Sequence, residues 1–428
     1  MILFDGKQYP AEAQSDLLER LESRINRTLA LRTLDREAVV RALDALSSRI
    51  ASGEFDARIE ALAAGDAARY KEMAVAATRR DALRFRLALE LGDDAPSQLA
   101  PPYGLPRVRV ESRPLGTLFH IAAGNVDGLP ALSVVEGLLT GNVNILKLPS
   151  ADDGLTLELL SLLIGLEPSI AEYVYVFDTP SSDADAMRKM AALADGIVLW
   201  GGEEATRAVR ALAPPGARLI EWGHRLGFAY VSGYADKEAE LAALAAHIAE
   251  TRQLLCSSCQ TIYLNTDSEA AARAFCREFL PILDAALAAA RAPDPGDAAQ
   301  ATLRAYCRRL EEAAGQTDRR REVFRGAHGS LTLCADRKLE LSDMYGNVLV
   351  KRLPAPYLLP ILRRAKGTLQ SAALICAPGE RAALTETLLR AGVVRVMTAG
   401  NASVTFGGEA HDGLYPLRQY RRIVNVEL

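Results

Sequence analysis

Cysteine is scarce in this chain: six among 428 residues, at positions 256, 259, 276, 307, 334 and 376. They are too few and too scattered for a disulfide framework, so reduced thiols are expected. A charge excess is missing as well. The formal charge is -4 and the pI is near 5.9, which leaves no electrostatic footprint for a nucleic-acid backbone or an anionic membrane surface. Small molecules or proteins are the expected partners. No run approaches the ~18 apolar residues of a membrane span, and the opening Met-Ile-Leu-Phe-Asp-Gly-Lys has no charged segment followed by an apolar export core. A cytoplasmic protein is expected. Internal repeats are lacking, and the longest biased stretch is the Ala-rich 285–292, a helix signal.

What the chain does contain is ample core material, with 49% apolar and 24% charged residues. Its length exceeds that at which single cores stop growing, so two or three lobes are expected. Residues 11–92 read as amphipathic helices: Leu17, Leu18, Leu21 and Ile25, then Val39, Val40, Leu43, Leu46 and Ile50, recur at helical spacing. The arginines at 79, 80, 84 and 86 read as a solvated face paired with Asp and Glu, with no chemistry assigned. A Pro-, Asp- and Ser-rich stretch, 92–106, marks a boundary.

From 107 onward β-prone runs alternate with helical patterns: 116–122 with 129–139, 143–148 with 154–163, 174–177 with 184–193, 196–200 with 203–212, then 219–220. Such alternation implies an α/β fold with a parallel sheet covered on both faces. The run 228–231 reads as the end of that sheet, with the lobe change near 232–236 and a second α/β lobe beyond it. The expected division is a helical region 1–100, a sheet lobe 101–233, a second lobe 234–404 and a tail 405–428. The tail closes on β-prone residues that either dock on the surface or pair in a homo-oligomer.

The stretch Arg252-Gln-Leu-Leu-Cys256-Ser-Ser-Cys259-Gln260 sets two thiols in a small, Ser-rich turn before an apolar strand, a placement that exposes a nucleophile while a rigid element holds it. A zinc site needs four ligands, and no second close Cys pair exists, so no metal is expected. A thioredoxin-like redox pair would stand at the start of a helix after a strand, the reverse of the order here. The competing reading is a pair of small buried residues. Four further segments carry polar groups at strand ends. Glu221, after Leu219-Ile220 and before Trp222-Gly223, suits a partly desolvated base or an ion-paired carboxylate. Ala123-Gly124-Asn125 suits an oxyanion donor loop or only a turn. Lys147 closes an apolar strand, where it meets a ligand or snorkels to the rim. Gly201-Gly202 joins a strand to a helix, which suits phosphate approach or an ordinary turn; the Gly-X-Gly-X-X-Gly fingerprint is missing there.

Taken in order, these segments resemble the aldehyde dehydrogenase superfamily, and in detail the sequence is similar to the bioluminescence-type (LuxC-like) long-chain acyl-CoA reductases over roughly 107–426. The resemblance is carried by Leu-Gly-X-Leu-Phe-His-Ile-Ala-Ala-Gly-Asn (115–125), Gly-Asn-Val-Asn-Ile-Leu-Lys (141–147), Leu-Leu-Cys-Ser-Ser-Cys-Gln (254–260), and Asp-Gly with Arg-Ile-Val near the end (412–424). It implies an aldehyde dehydrogenase-like fold with a Rossmann-like cofactor domain and a catalytic α/β domain. It also implies roles: Cys256 as catalytic thiol, Asn125 as oxyanion donor, and Glu221 as general base toward a thiol or toward water. Lys147 would meet the adenosine ribose, Ala123 and Gly124 would flank the cofactor, and Gly201 and Gly202 would lie at the nicotinamide side. Cys259 falls where many relatives have Pro. Ser150 stands where NAD-preferring relatives carry a Glu that would repel a 2′-phosphate, so NADPH is expected over NADH.

The activity so implied is reduction of a fatty acyl thioester, on CoA or on a protein, to an aldehyde through an acyl-cysteine, with an acyl-protein synthetase or a carrier protein as partner. Two alternatives stand beside it: an NAD(P)-dependent aldehyde dehydrogenase releasing free acid, and a non-catalytic acyl-binding or scaffolding subunit.

Overall fold

The computed structural model describes residues 1–63, 67–92, 97–99, 107–122, 128–150, 152–290, 295–315, 321–402 and 407–427. They form two compact units, Met1–Gly223 with Phe406–Leu428, and His224–Thr405. In chain order the first unit contains β1 (Ile2–Phe4), β2 (Lys7–Tyr9), α1 (Gln14–Leu31), α2 (Arg36–Ala51), α3 (Asp56–Ala63), α4 (Ala67–Thr78), α5 (Arg80–Leu91), β3 (Ser97–Leu99) and β4 (Val108–Pro114). It continues with β5 (Thr117–Ile121), α6 (Leu129–Leu139), β6 (Val143–Lys147), α7 (Leu155–Leu166), β7 (Val174–Phe177), α8 (Ala184–Ala192), β8 (Gly196–Trp200), α9 (Glu203–Leu212) and β9 (Arg218–Trp222). The second unit contains β10 (Leu226–Val231), α10 (Lys237–Thr251), β11 (Cys259–Leu264), α11 (Glu269–Ala289), α12 (Pro295–Ala313), β12 (Arg321–Arg325), β13 (Ser330–Cys334), β14 (Asn347–Arg352), α13 (Ala355–Leu362), β15 (Leu369–Ile375), α14 (Arg381–Ala391) and β16 (Arg395–Met397). The tail returns to the first unit as α15 (Pro416–Gln419) and β17 (Arg421–Glu427).

The first sheet runs β2-β1-β7-β6-β5-β8-β9, with β5 to β9 parallel and the β1–β2 hairpin antiparallel on the β7 edge. Every residue of β6 and β7 is buried, as expected when helices cover both faces and burial replaces alternation. The helical N-terminal residues are not a separate body. Leu17, Leu21, Ile25, Val39, Val40 and Leu43 share one apolar core with Phe119, Ile145 and Val176 of the sheet. Each such buried side chain contributes roughly 1.5–3 kcal/mol. Helix α2 starts cleanly because Asp35 accepts a hydrogen bond from the Glu37 amide, satisfying one of its free N–H groups.

Two expectations need correction, the place of β10 with the division between units, and the surroundings of Arg86. Strand β10 does not close the first sheet; it lies in the interior of the second, parallel to β11 on one side and β15 on the other. The division between units accordingly falls at Gly223–His224. Arg86 is not part of a solvated face. Its side chain is 15% exposed and bridges Glu90 and Glu136, two carboxylates buried with it, while Arg80 pairs with the half-buried Asp44 and Arg84 with the exposed Glu37. The tail strand β17 pairs antiparallel with β4 of the same chain, Arg421 opposite Pro114 and Glu427 opposite Val108. Among the described residues no helix is long and apolar enough to cross a membrane.

Candidate active site

The carboxyl ends of the parallel strands set the first group of polar residues on one edge of the first sheet, the edge at which open α/β sheets bind ligands. Strand β5 is flanked by β6 and β8, so the chain order reverses at this strand. The loop that follows β5 holds Ala123, Gly124 and Asn125, which lie outside the described residues. Lys147 is the last residue of β6, and only 5% of it is exposed. Its ammonium makes no hydrogen bond or ion pair among the described residues; desolvation pushes its pKa down, opposed by the charge of Asp178. A buried stem with an unpaired amine fits a cation awaiting an anionic or hydroxylic ligand. Ser150, three residues on, is exposed.

Gly201 and Gly202 link β8 to α9, with Gly202 at the helix N-cap. A Cβ on Gly201 would stand 3.0 Å from the Ala205 Cβ, whereas one on Gly202 would meet nothing within 4 Å, so the backbone there is open to close approach by a ligand. Glu221, in β9, does not stand free. Arg210 Nε and Nη2 donate to its two carboxylate oxygens at 2.7 Å each. Beneath this edge is a buried polar relay that the sequence did not announce. Trp200 Nε1 donates to Ser133 Oγ (3.2 Å), Ser133 Oγ lies 2.7 Å from His120 Nδ1, and His120 Nε2 lies 3.0 Å from Asn144 Oδ1. The Asn144 oxygen can only accept, which assigns a proton to His120 Nε2, and burial, which lowers the pKa to about 4, keeps the ring neutral. Trp200, Trp222 and His411 pack ring against ring at 5.0 to 5.6 Å between centroids.

The thiols belong to the second unit, and there the two part company. Cys256 is exposed in the turn between α10 and β11, preceded by Leu254 and Leu255, 43% and 47% exposed. Cys259 is the first residue of β11, 1% exposed, and burial pushes its thiol up to about 12. A thiol so held is a small apolar side chain at neutral pH.

Two glutamines pin the turn. Gln253, fully buried, donates through Nε2 to the Cys259 carbonyl and to Ser342 Oγ, both at 2.9 Å, and its Oε1 accepts from the Gly346 amide at 3.0 Å. Gln260 Nε2 donates to the Gln253 carbonyl at 2.7 Å, and its Oε1 accepts from Ser342 Oγ at 2.7 Å. Arg252 and Gln253 both have left-handed backbones, with φ of 48° and 62°, as do Met344 and Tyr345 at 63° and 50°. Non-glycine residues rarely adopt this conformation, and the Tyr345 amide bonds to the Arg252 carbonyl at 3.0 Å, so the two strained turns support each other. Ser371 Oγ donates to the Ser257 carbonyl at 3.0 Å. The sequence signal for this cradle is the pair of glutamines bracketing the thiols.

His247, on α10 behind the turn, is 3% exposed, and burial lowers its pKa to about 4, with the charge of Arg395 adding to the effect and a hydrogen bond to the Ser257 backbone opposing it. The unfolded imidazole titrates near 6.5. Its neutral form therefore contributes stability that is fully present above that value and is lost as pH falls from about 6.5 toward 4, on the order of 3 kcal/mol in all. His247→Gln is expected to flatten that part of the pH dependence of the urea midpoint; an unchanged profile would contradict this assignment.

Among the described residues one cluster has metal-like spacing, Cys334, Asp336 and Glu340, but its carboxylates already hold a cation. The fully buried Lys351 Nζ donates to Asp336 at 2.7 Å, to the Lys338 carbonyl at 2.7 Å and to Glu340 at 2.8 Å.

Residues 19–423 match the sequence profile of one family, Acyl-CoA reductase (LuxC). The chain belongs to the LuxC acyl-CoA reductase family. Among LuxC relatives, it is 28% identical over 162 residues to long-chain acyl-protein thioester reductase 2 of Photobacterium leiognathi and 29% identical over 162 residues to the long-chain acyl-protein thioester reductase of Vibrio harveyi, each time over 37% of this chain. The matched part spans about a third of those relatives, 34% of each. The fold is that of the aldehyde dehydrogenases. An NAD-dependent aldehyde dehydrogenase from Sinorhizobium meliloti superposes with a TM-score of 0.76 at 16% identity, covering 100% of this chain and 94% of that one. A glyceraldehyde-3-phosphate dehydrogenase from Methanocaldococcus jannaschii, complexed with NADP, gives 0.73 at 14% identity, over 99% and 96%.

Proposed function

We propose that this LuxC-family chain reduces a fatty acyl thioester, on CoA or on an acyl-protein supplied by a synthetase or carrier, to the aldehyde. The observation that carries the reading is the contrast between the thiols: Cys256 exposed on a turn pinned by buried glutamines, Cys259 sealed in the core. In this reading the Cys256 thiolate attacks the thioester carbonyl, the carrier thiol leaves, and an acyl-cysteine remains. Asn125 with a backbone amide holds the oxyanion. Leu254 and Leu255 offer apolar surface beside the sulfur, suited to a hydrocarbon chain.

The residues at the sheet edge fit a nicotinamide dinucleotide, since an unpaired amine and an open glycine at a helix N-terminus stand together at a strand-order reversal. Lys147 and Ser150 would hold the adenosine ribose, Ala123 and Gly124 would flank the cofactor, and Gly201 and Gly202 would border the nicotinamide. When bound, the cofactor supplies the hydride that takes the acyl group to the aldehyde level. Ser150 carries no charge against a 2′-phosphate, which favours NADPH. Ser150→Glu is therefore expected to lower the ratio of kcat/KM for NADPH over NADH about tenfold or more, checked by steady-state kinetics with both cofactors; an unchanged ratio would remove Ser150 from the ribose site.

Incubation with tetradecanoyl-CoA and NADPH tests the function. Aldehyde release with cofactor oxidation is expected. Oxidation of added aldehyde to acid, without thioester reduction, would replace the reading with an aldehyde dehydrogenase; neither reaction, with no mass added to the protein, would leave an acyl-binding subunit.

A further inference from the structure

Both tryptophans of the chain stand at the carboxyl edge of the first sheet, Trp200 as the last residue of β8 and Trp222 as the last of β9, with His411 of the tail packed against each. Trp222 is 3% exposed, whereas Trp200 is half-buried and has ring surface to offer. The glycine turn into α9 follows Trp200 directly. The indole is held from behind. Trp200 Nε1 donates to Ser133 Oγ, the Ser133 hydroxyl donates to His120 Nδ1, and His120 Nε2 donates to Asn144 Oδ1. Asn144 Nδ2 then donates to the carbonyls of Asn142 at 2.8 Å and Tyr173 at 3.3 Å. Every link runs in one direction and the chain ends on backbone, which fixes the plane of the indole. Room for the relay is cut into α6: a Cβ on Gly137 would collide with Asn144 Oδ1, and glycine in a helix interior weakens the helix. Ser133, His120 and Asn144 are fully buried, where apolar side chains would fill the volume without needing partners. Keeping the fold is a weak reason for three polar residues there.

We infer that Trp200 is a binding residue, the wall against which the nicotinamide ring packs, and that Ser133, held in turn by His120 and Asn144, is the positioning residue that sets the plane of that wall. This rests on the dinucleotide reading above. Lys147 on β6 and Trp200 on β8 flank β5 at the reversal of strand order, two strand spacings apart, about 10 Å. A dinucleotide lying across β5 presents its adenosine ribose to the amine and its far ring to the indole. A planar heterocycle gains most from an aromatic neighbour whose orientation is already set, because little side-chain freedom is then lost on binding.

The test is isothermal titration calorimetry of the full chain with two pairs of ligands, NADPH with ADP-ribose 2′-phosphate and NADH with ADP-ribose, the members of each pair differing by the nicotinamide ring. Trp200→Ala is expected to weaken the dinucleotide about tenfold and to leave its ring-less partner within about twofold. Trp200→Phe, which keeps a ring and loses the N–H, and Ser133→Ala, which cuts the relay, should fall between. Near-ultraviolet circular dichroism reads the relay separately, because Trp200 and Trp222 are the chain's two indoles: Ser133→Ala is expected to change the indole bands, and unchanged bands overturn the positioning role. Equal losses for both members of a pair, or no loss in Trp200→Ala, overturn the inference. A wild-type chain that binds neither dinucleotide sinks the cofactor reading itself, and the wild-type titration shows that failure before any variant is compared.

Discussion

Cys256→Ala should lower aldehyde formation from an acyl thioester by ~10⁴-fold or more, because a step that requires a covalent sulfur intermediate has no substitute nucleophile. Cys259→Ala should leave the rate within a few-fold. Its side chain is 1% exposed at the start of β11, its thiol is pushed up to about 12, and losing the sulfur leaves a small cavity costing ~1 kcal/mol. Steady-state rates for both variants check the contrast. Equal losses would mean that the thiols act as a pair, and an active Cys256→Ala would end the covalent reading.

Gly227→Ala should lower the rate about a hundredfold without touching a reactive group. Gly227 sits in β10, at an irregularity of its pairing with β11. A Cβ there would lie 2.6 Å from the carbonyl oxygens of both Ser257 and Ser258 and 2.7 Å from Ser371 Oγ. Two of those atoms are backbone of the thiol turn itself, so the turn must shift. Overpacking of this kind costs ~1–3 kcal/mol, and a displacement of about 1 Å at a nucleophile costs ~10²-fold in rate. Urea unfolding and initial rates measure the two effects separately. A variant as active and as stable as wild type would show that the turn tolerates displacement.

These two positions also mark how far the chain was legible as sequence. The alternation of runs from 116 to 222 predicted the parallel sheet because each strand and its helix are local patterns, and β5 to β9 follow it. Strand β10 was misplaced because a short apolar run looks the same in either sheet; its neighbours β11 and β15 are set by non-local pairing. Strands β1 and β2, three residues each, are too short to show a period. Arg86 was read as solvated because helical spacing reveals a face but not the Glu136 that another helix lays over it.

At the site, the resemblance pointed to Cys256 over Cys259, but the physical reason, exposure against burial, lies in where β11 begins. The contact of Gly227 with Ser257 joins residues distant in sequence and the fork of Arg210 on Glu221 joins neighbouring elements, and no motif signals either. Lys147 was legible as a charge closing an apolar strand, although whether its amine was paired was not. The loop of Ala123, Gly124 and Asn125 keeps the role that resemblance proposes for it.

The most direct test is to locate the acyl group. The full chain is incubated with tetradecanoyl-CoA in the absence of NADPH, quenched in acid, digested and mapped by mass spectrometry. The predicted result is a tetradecanoyl thioester on the peptide containing Cys256, lost on addition of NADPH with release of one equivalent of aldehyde. Acylation of a different cysteine, or aldehyde formation while Cys256 stays unmodified throughout, would contradict the account.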